Sequence, residues 1–281
     1  MSSDTYRAWI LTFREYISHR ESIWLVAHIT GHRHVDIVVS MDKNVPIESI
    51  PSLELARSKL LEGTPLPYIL GSSYFMGRKF FVSTDVIIPR SDTEHLVSNA
   101  IELLRNDDKE KRILDLGTGS GIIAITIKIN FPQHIVWATD YSSESLFIAQ
   151  KNATFHRTDI KLRHGNWYEA VAGEKFDYIV SNPPYISPFD PHLSTLSHEP
   201  KSALVSYDEG YQDLEKIISE ATNYLHPGGQ LIVEHGWQQG FRCQHTFHES
   251  GLTMISTVKD HLFRDRITYG KSKVGTTSKI I

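Results

Sequence analysis

The run Asp115-Leu116-Gly117-Thr118-Gly119-Ser120-Gly121 constrains this chain more than any other feature. It follows a short apolar stretch, Arg112-Ile113-Leu114-Asp115-Leu116, and opens into the apolar segment Ile122 to Ile129, which reads as a helix. A glycine-rich turn between a strand and a helix lets the backbone bend sharply and approach a ligand with no Cβ in the way. The spacing is Gly-x-Gly-x-Gly rather than Gly-x-Gly-x-x-Gly, and no lysine follows as in a phosphate-binding loop. Neither a dinucleotide nor a nucleoside triphosphate is therefore favoured.

The surrounding pattern alternates. Thr93 to Leu104 reads as a helix, and Ile135 to Thr139 as a strand ending at Asp140. Ser143 to Asn152 reads as a helix, and Tyr178–Ser181 and Gln230–Glu234 as strands. Such alternation predicts an α/β fold with a mostly parallel sheet and helices on both faces. Upstream, Tyr6, Trp9, Ile10, Phe13 and Ile17 recur at three- and four-residue steps, and a second apolar cluster from Ile23 ends at Gly31. Ser52 could cap a third helix carrying Leu53, Ala56, Leu60 and Leu61, ended by Gly63 and Pro65. Aromatic and β-branched residues between Gly71 and Pro89 suggest a β-hairpin. The expected organisation is an all-α domain over 1–70, a β-hairpin connector over 71–90 and the α/β domain over 91–281.

In a parallel sheet a ligand binds beyond the carboxyl ends of the strands, where the topology switches. A carboxylate at Asp140 could accept two hydrogen bonds from a ribose diol. Ribose without phosphates fits S-adenosylmethionine. Trp167, after His164-Gly165-Asn166, could flank the adenine, although a core tryptophan is nearly as good a reading.

Asn182-Pro183-Pro184-Tyr185 follows the strand Phe176–Ser181. Two prolines fix the backbone and remove N–H donors, leaving carbonyls and one asparagine amide. A site rich in acceptors suits a substrate NH₂ group, whose delocalised lone pair attacks poorly. The Asn182 side-chain oxygen and the Pro183 carbonyl could take its two hydrogens, and Tyr185 could pack on its flat face. Asn182, Pro183 and Tyr185 are thus the candidate catalytic residues.

The net charge of −4 weighs against a nucleic-acid substrate, since phosphate neutralisation supplies most of that affinity. The single cysteine, Cys243, excludes an internal disulfide, and the histidines lack metal-ligand spacing. No apolar run is long enough to span a membrane, and the N-terminus does not read as a signal peptide, so a cytoplasmic protein without a metal is expected. Gly228-Gly229-Gln230 reads as a turn before a strand.

Asp115 to Gly121, Asp140 and Asn182 to Tyr185 resemble the class I, Rossmann-like S-adenosylmethionine methyltransferases. With Pro67-Tyr68-Ile69-Leu70-Gly71, Ile88-Pro89-Arg90-Ser91-Asp92-Thr93-Glu94, His198-Glu199-Pro200, Glu234 to Gly240 and Arg264-Asp265-Arg266, the chain is similar to the HemK/PrmC family. That family methylates the glutamine of a Gly-Gly-Gln loop in class I peptide chain release factors. The resemblance implies that Gly117, Thr118, Gly119, Ser120, Gly121, Asp140, Trp167 and Asn182 bind the cofactor. It implies that Asn182, Pro183, Pro184 and Tyr185 bind the glutamine and that the helical domain helps hold the release factor; a monomer is expected. Ser91 stands where the family usually has proline, and Asn166 where it commonly has aspartate. The rival readings are a ribosomal-protein glutamine methyltransferase, a DNA amino-methyltransferase and a non-catalytic binding module.

Overall fold

The computed structural model describes residues 4–105 and 109–274. It divides into two compact units, Met1–Ser73 and Tyr74–Ile281.

The first unit carries α1 (Tyr6–Phe13), α2 (His19–Thr30), α3 (His34–Val38), α4 (Ile50–Leu61) and α5 (Leu66–Leu70). Tyr6, Trp9, Ile10 and Phe13 pack with Leu25 and Val26 of α2 and with Leu53, Ala56 and Leu60 of α4. The first helix is shorter than its apolar spacing predicts, and Ile17 lies in the turn beyond it. A capping box explains the break. The Ser18 hydroxyl accepts from the Glu21 N–H (3.3 Å), and the Glu21 carboxylate accepts from the Ser18 N–H (2.9 Å), so a new helix starts there. Gly31, at φ 72°, ends α2 as its position predicts. Ser52 is not a cap: α4 begins at Ile50 with Pro51 in its first turn.

The hairpin of β1 (Ser72–Phe75) and β2 (Arg78–Phe81) is also shorter than expected. Residues 82–90 run as an irregular loop. There the Ser83 hydroxyl accepts from the Asp85 N–H (3.2 Å), and the Ser83 carbonyl from the Val86 N–H (3.2 Å), a local bonding pattern that competes with strand pairing.

The second unit continues with α6 (Ser91–Leu104), β3 (Arg112–Leu116), α7 (Ile122–Asn130), β4 (Ile135–Asp140), α8 (Ser143–His156), β5 (Lys161–His164) and β6 (Phe176–Ser181). It ends with α9 (Tyr207–Gly210), α10 (Gln212–Tyr224), β7 (Leu225–Glu234), α11 (Gly240–Glu249), β8 (Thr253–Lys259) and β9 (Asp265–Lys271). The sheet order is β5-β4-β3-β6-β7-β9-β8. The first five strands are parallel, and β9 runs antiparallel between β7 and β8. Gly228-Gly229-Gln230 lies inside β7 rather than in a turn before it, and Gln230 is buried.

Side chains alternate between two cores, as the two-residue period of a strand requires. Ile113, Val180 and Ile232 face α6 and α7, meeting Leu96, Ala100, Ile123 and Ile127. Leu114, Ile179 and Leu231 face the other way, onto Leu214, Ile217 and Ile218 of α10 and Phe247 of α11. With both faces covered, the ends of the strands are where a ligand can reach the sheet. The chain passes from β3 out to β5 on one side and returns to β6 on the other, so the switch point lies between β3 and β6. Leu116 pairs with Ser181 there, and the Ser181 hydroxyl donates to the Leu116 carbonyl (2.8 Å). The next residues are Gly117 and Asn182.

Candidate active site

Asp115, the penultimate residue of β3, is fully buried and organises the loop that follows. One of its oxygens, Oδ2, accepts from the Thr118 hydroxyl (2.6 Å) and from the Ala124 N–H in the first turn of α7 (3.1 Å). Its Oδ1 has no hydrogen-bond partner among the described residues, and burial pushes the carboxyl up to about 7. The Gly117 and Thr118 N–H groups both donate to the Thr139 carbonyl (2.9 Å each). The side chains of Thr118 and Ser120 are thereby buried, and Gly121 caps α7. Of the five loop residues expected at the cofactor, Gly117 and Gly119 reach the pocket wall; Thr118, Ser120 and Gly121 do not. Gly117, at φ +71°, is required, since a Cβ there would sit 3.0 Å from the Trp167 ring.

Asp140 comes to the same wall from the end of β4. Its Oδ2 accepts from the Gly119 N–H and its Oδ1 from the Ser142 N–H, both at 2.9 Å, and burial holds its carboxyl above the usual range. With these and the Tyr141 N–H as donors, the carboxylate still has acceptor capacity for a further donor. Trp167 is held at φ +48°, a left-handed conformation that side chains rarely adopt. Its indole N–H donates to Asp213 (3.2 Å), whose other oxygen takes the Ser206 hydroxyl (2.6 Å). The ring is thus pinned against Gly117.

Asn182 follows β6, with its Nδ2 donating to the Thr93 hydroxyl (2.9 Å). Because that end of the amide is committed, Oδ1 is the atom it can offer to the pocket it lines. Pro184 lines the wall, whereas Pro183, which is buried, and Tyr185, both expected at the substrate, do not. The Tyr185 hydroxyl donates to Glu234 (3.0 Å), and burial, followed by that carboxylate, drives the phenol well above its ordinary pKa. It is a neutral donor, not a base. The Tyr185 carbonyl accepts from the Gln239 amide (3.2 Å) and lies so close to Gly210 that a Cβ there would be 2.2 Å from it. Tyr185 is therefore anchored from two sides, and its ring packs with the core under α10.

Gly117, Gly119, Asp140, Trp167, Asn182 and Pro184 share one cavity of about 740 Å³. Among the described residues lining it are four carboxylates, Asp85, Asp140, Glu144 and Asp213, and no lysine or arginine. Such a wall disfavours phosphates and suits a ligand carrying positive charge. The fit to S-adenosylmethionine rests on these features together: a diol acceptor with free lone pairs, a side-chain-free approach at Gly117 and Gly119, an anchored indole, and carboxylates facing a sulfonium and an ammonium.

Sequence reasoning missed part of the wall. Residues Thr84 to Ile87 belong to it, although they were expected in the hairpin, as does Asp213. It also gave no role to Thr93 or Glu234. Both lie in segments that carry the family resemblance, but their contacts with Asn182 and Tyr185 cross long sequence separations. Among the described residues there is no group able to hold a metal ion and no helix long and apolar enough to cross a membrane.

The methyltransferase small domain model matches residues 93–198. The chain is 44% identical over 227 residues to the release factor glutamine methyltransferase of Xylella fastidiosa (strain 9a5c), covering 80% of this chain and 81% of that protein. It is 35% identical over 277 residues to the release factor glutamine methyltransferase of Escherichia coli (strain K12), covering 95% of this chain and 98% of that one. Among solved structures, a T. thermophilus 16S rRNA N2 G1207 methyltransferase (RsmC), in complex with AdoMet and guanosine, matches with a TM-score of 0.53 and 16% identity. The match covers 72% of this chain and 50% of that one, and it carries the fold alone.

Proposed function

The chain belongs to the release factor glutamine methyltransferase family, and on that premise we propose how it transfers a methyl group to the side-chain nitrogen of the glutamine in the Gly-Gly-Gln motif of class I peptide chain release factors. The observation that carries the reading is the meeting of two loops, from the paired strand ends Leu116 and Ser181, on one cation-free pocket.

Bound in the pocket, S-adenosylmethionine supplies a methyl carbon made electrophilic by its sulfonium. Asp140 would accept from its ribose diol, Trp167 would flank its adenine, and the side-chain-free backbone of Gly117 and Gly119 would accommodate its amino-acid end. Asn182 Oδ1 and the Pro183 carbonyl accept the two N–H bonds of the substrate amide. They draw the nitrogen out of conjugation and aim its lone pair into the pocket. Holding the reacting atoms in line in this way can supply ~7–11 kcal/mol of the barrier. The same two oxygens stabilise the positive charge that develops on nitrogen as the new N–C bond forms and the old S–C bond breaks. The methylated nitrogen is acidic, so its proton leaves to water without a strong base. Tyr185, bonded to Glu234 and packed on the core, fixes the far end of this loop so that Asn182 and Pro184 keep their places in the pocket wall.

The substrate is a protein, and the helical domain over 1–70 helps to hold it. No nucleic-acid substrate is required, and a single copy of the chain carries the whole site. Mass spectrometry of purified release factor, incubated with the enzyme and isotopically labelled cofactor, tests the reading. One labelled methyl on the Gly-Gly-Gln glutamine is expected. Label found only on a ribosomal protein assayed in parallel would overturn the substrate assignment.

A further inference from the structure

The two ends of an asparagine amide have nearly the same shape and opposite polarity. Turned half a circle, Asn182 would present N–H donors to the N–H donors of a substrate amide. Something in the fold must therefore set that turn, and neither proline does so. The Asn182 Nδ2 bonds the Thr93 hydroxyl at 2.9 Å, and the same hydroxyl donates to Glu234 Oε2 at 3.0 Å. Thr93 and Glu234 are 1% and 0% exposed, so water does not replace either partner. A hydroxyl has one proton. While Glu234 is ionised it can only accept, so the Thr93 proton points at Glu234 and the Thr93 lone pairs point at Asn182. Only the N–H end of the amide can bond there. The other oxygen of Glu234 takes the Tyr185 hydroxyl at 3.0 Å. One buried carboxylate thus holds both ends of Asn182–Tyr185.

We propose that Thr93 and Glu234 form a relay that decides which end of the Asn182 amide faces the substrate, a positioning role that rests on the acceptor reading above. The relay reverses when Glu234 takes a proton on Oε2, the oxygen that faces Thr93, while Oε1 keeps accepting from the Tyr185 hydroxyl. The carboxylic acid then donates to Thr93, Thr93 turns its proton to Asn182, and the amide rotates its nitrogen into the pocket. The charged and titratable groups around Glu234 are Asp92 from α6, Arg266 from β9 and the Tyr185 phenol. His235 beside it is engaged with Thr268 (2.9 Å), and Arg266 is shared with Asp92 (3.4 Å) and Asp260 (3.3 Å). Burial outweighs the Arg266 charge and brings the carboxyl up to about 7, within reach of working pH.

The test compares wild-type enzyme with Thr93→Val and Thr93→Ser on purified release factor, with kcat, KM and cofactor affinity measured across pH. Thr93→Val is expected to lower kcat at least about tenfold, with KM and the calorimetric cofactor Kd within about twofold. Thr93→Ser, which keeps the hydroxyl, recovers most of that loss. Wild-type kcat rises as pH increases through about 7, and Thr93→Val lacks this rise. Wild-type kcat in Thr93→Val, equal losses in the Val and Ser variants, or an unchanged pH profile would each overturn the relay. If Thr93→Val does not fold, the native enzyme decides: a kcat flat through that pH overturns the relay. Failure of the parent reading looks different, because Asn182→Ala would then keep its rate. An inactive Asn182→Ala beside a fully active Thr93→Val sinks the relay alone.

Discussion

The loop after β3 and the loop after β6 leave neighbouring strand ends and reach the same pocket by opposite means. The first bends through glycines at φ +71°, +55° and +83°, and its buried carboxylate, Asp115, belongs to the same short segment. The second is stiffened by Pro183 and Pro184, and its buried carboxylate, Glu234, comes from another strand of the sheet. A loop that must cradle a ligand with its backbone can carry its own instructions. A loop that must present one polarity of one side chain needs a reference outside itself, since nothing within four residues distinguishes the two ends of an amide.

The sharpest way to break this contrast is to remove the polar end itself. Asn182→Ala should lower kcat about 100-fold, the scale of one lost transition-state hydrogen bond, and leave the fold intact. Near-normal turnover in the purified variant would erase the distinction between the loops. On the cofactor side, Asp140→Ala should weaken S-adenosylmethionine binding about tenfold by calorimetry, with little effect on release-factor KM. Unchanged affinity would reassign the diol contact. Tyr185→Phe removes one of the two anchors on Glu234 and should cost about fivefold in kcat, as expected for a single neutral hydrogen bond. No loss in kcat would leave Thr93 as the only functional contact of that carboxylate.

The smallest effect concerns stability. Asp115 rises from 3.8 and Glu234 from 4.5, each to about 7 in the folded protein. The folded state therefore binds these protons more tightly than the unfolded one. Their contribution to stability is fully present below the ordinary carboxyl values and is lost as pH rises through about 7. The denaturation midpoint of the ligand-free protein should fall across that window. Asp115→Asn keeps an oxygen for Thr118 and Ala124 and should flatten part of the slope. An unaltered slope would show that Asp115 is not a source of it.

The same contrast explains what could be read from the sequence. The placing of Gly117, Gly119, Asp140, Asn182 and Pro184 at one pocket was legible because each stands at or just beyond the end of a strand that local pattern announces. Cover on both faces of the sheet was legible through the alternation of strands and helices along the chain. What escaped depends on distant partners. Thr93 and Asn182 are 89 positions apart, and Trp167 and Asp213 are 46 apart. The strand Asp265–Lys271 begins with charged residues and inserts between β7 and β8, an order that no local pattern announces. The apolar Val82, Val86, Ile87 and Ile88 have the composition of a strand, yet two of them line the pocket and the backbone there is bonded in short turns, so the hairpin ends at Phe81.

The pairing of Leu116 with Ser181 has a consequence for how this enzyme would fail on heating. The gap between the two loops is one inter-strand spacing, about 4.8 Å, maintained by main-chain bonds in the middle of the sheet. Peripheral helices can fray without altering that ruler. Thermal inactivation should therefore coincide with cooperative melting of the sheet instead of preceding it, and the amides of β3 and β6 should be among the last to exchange with deuterium.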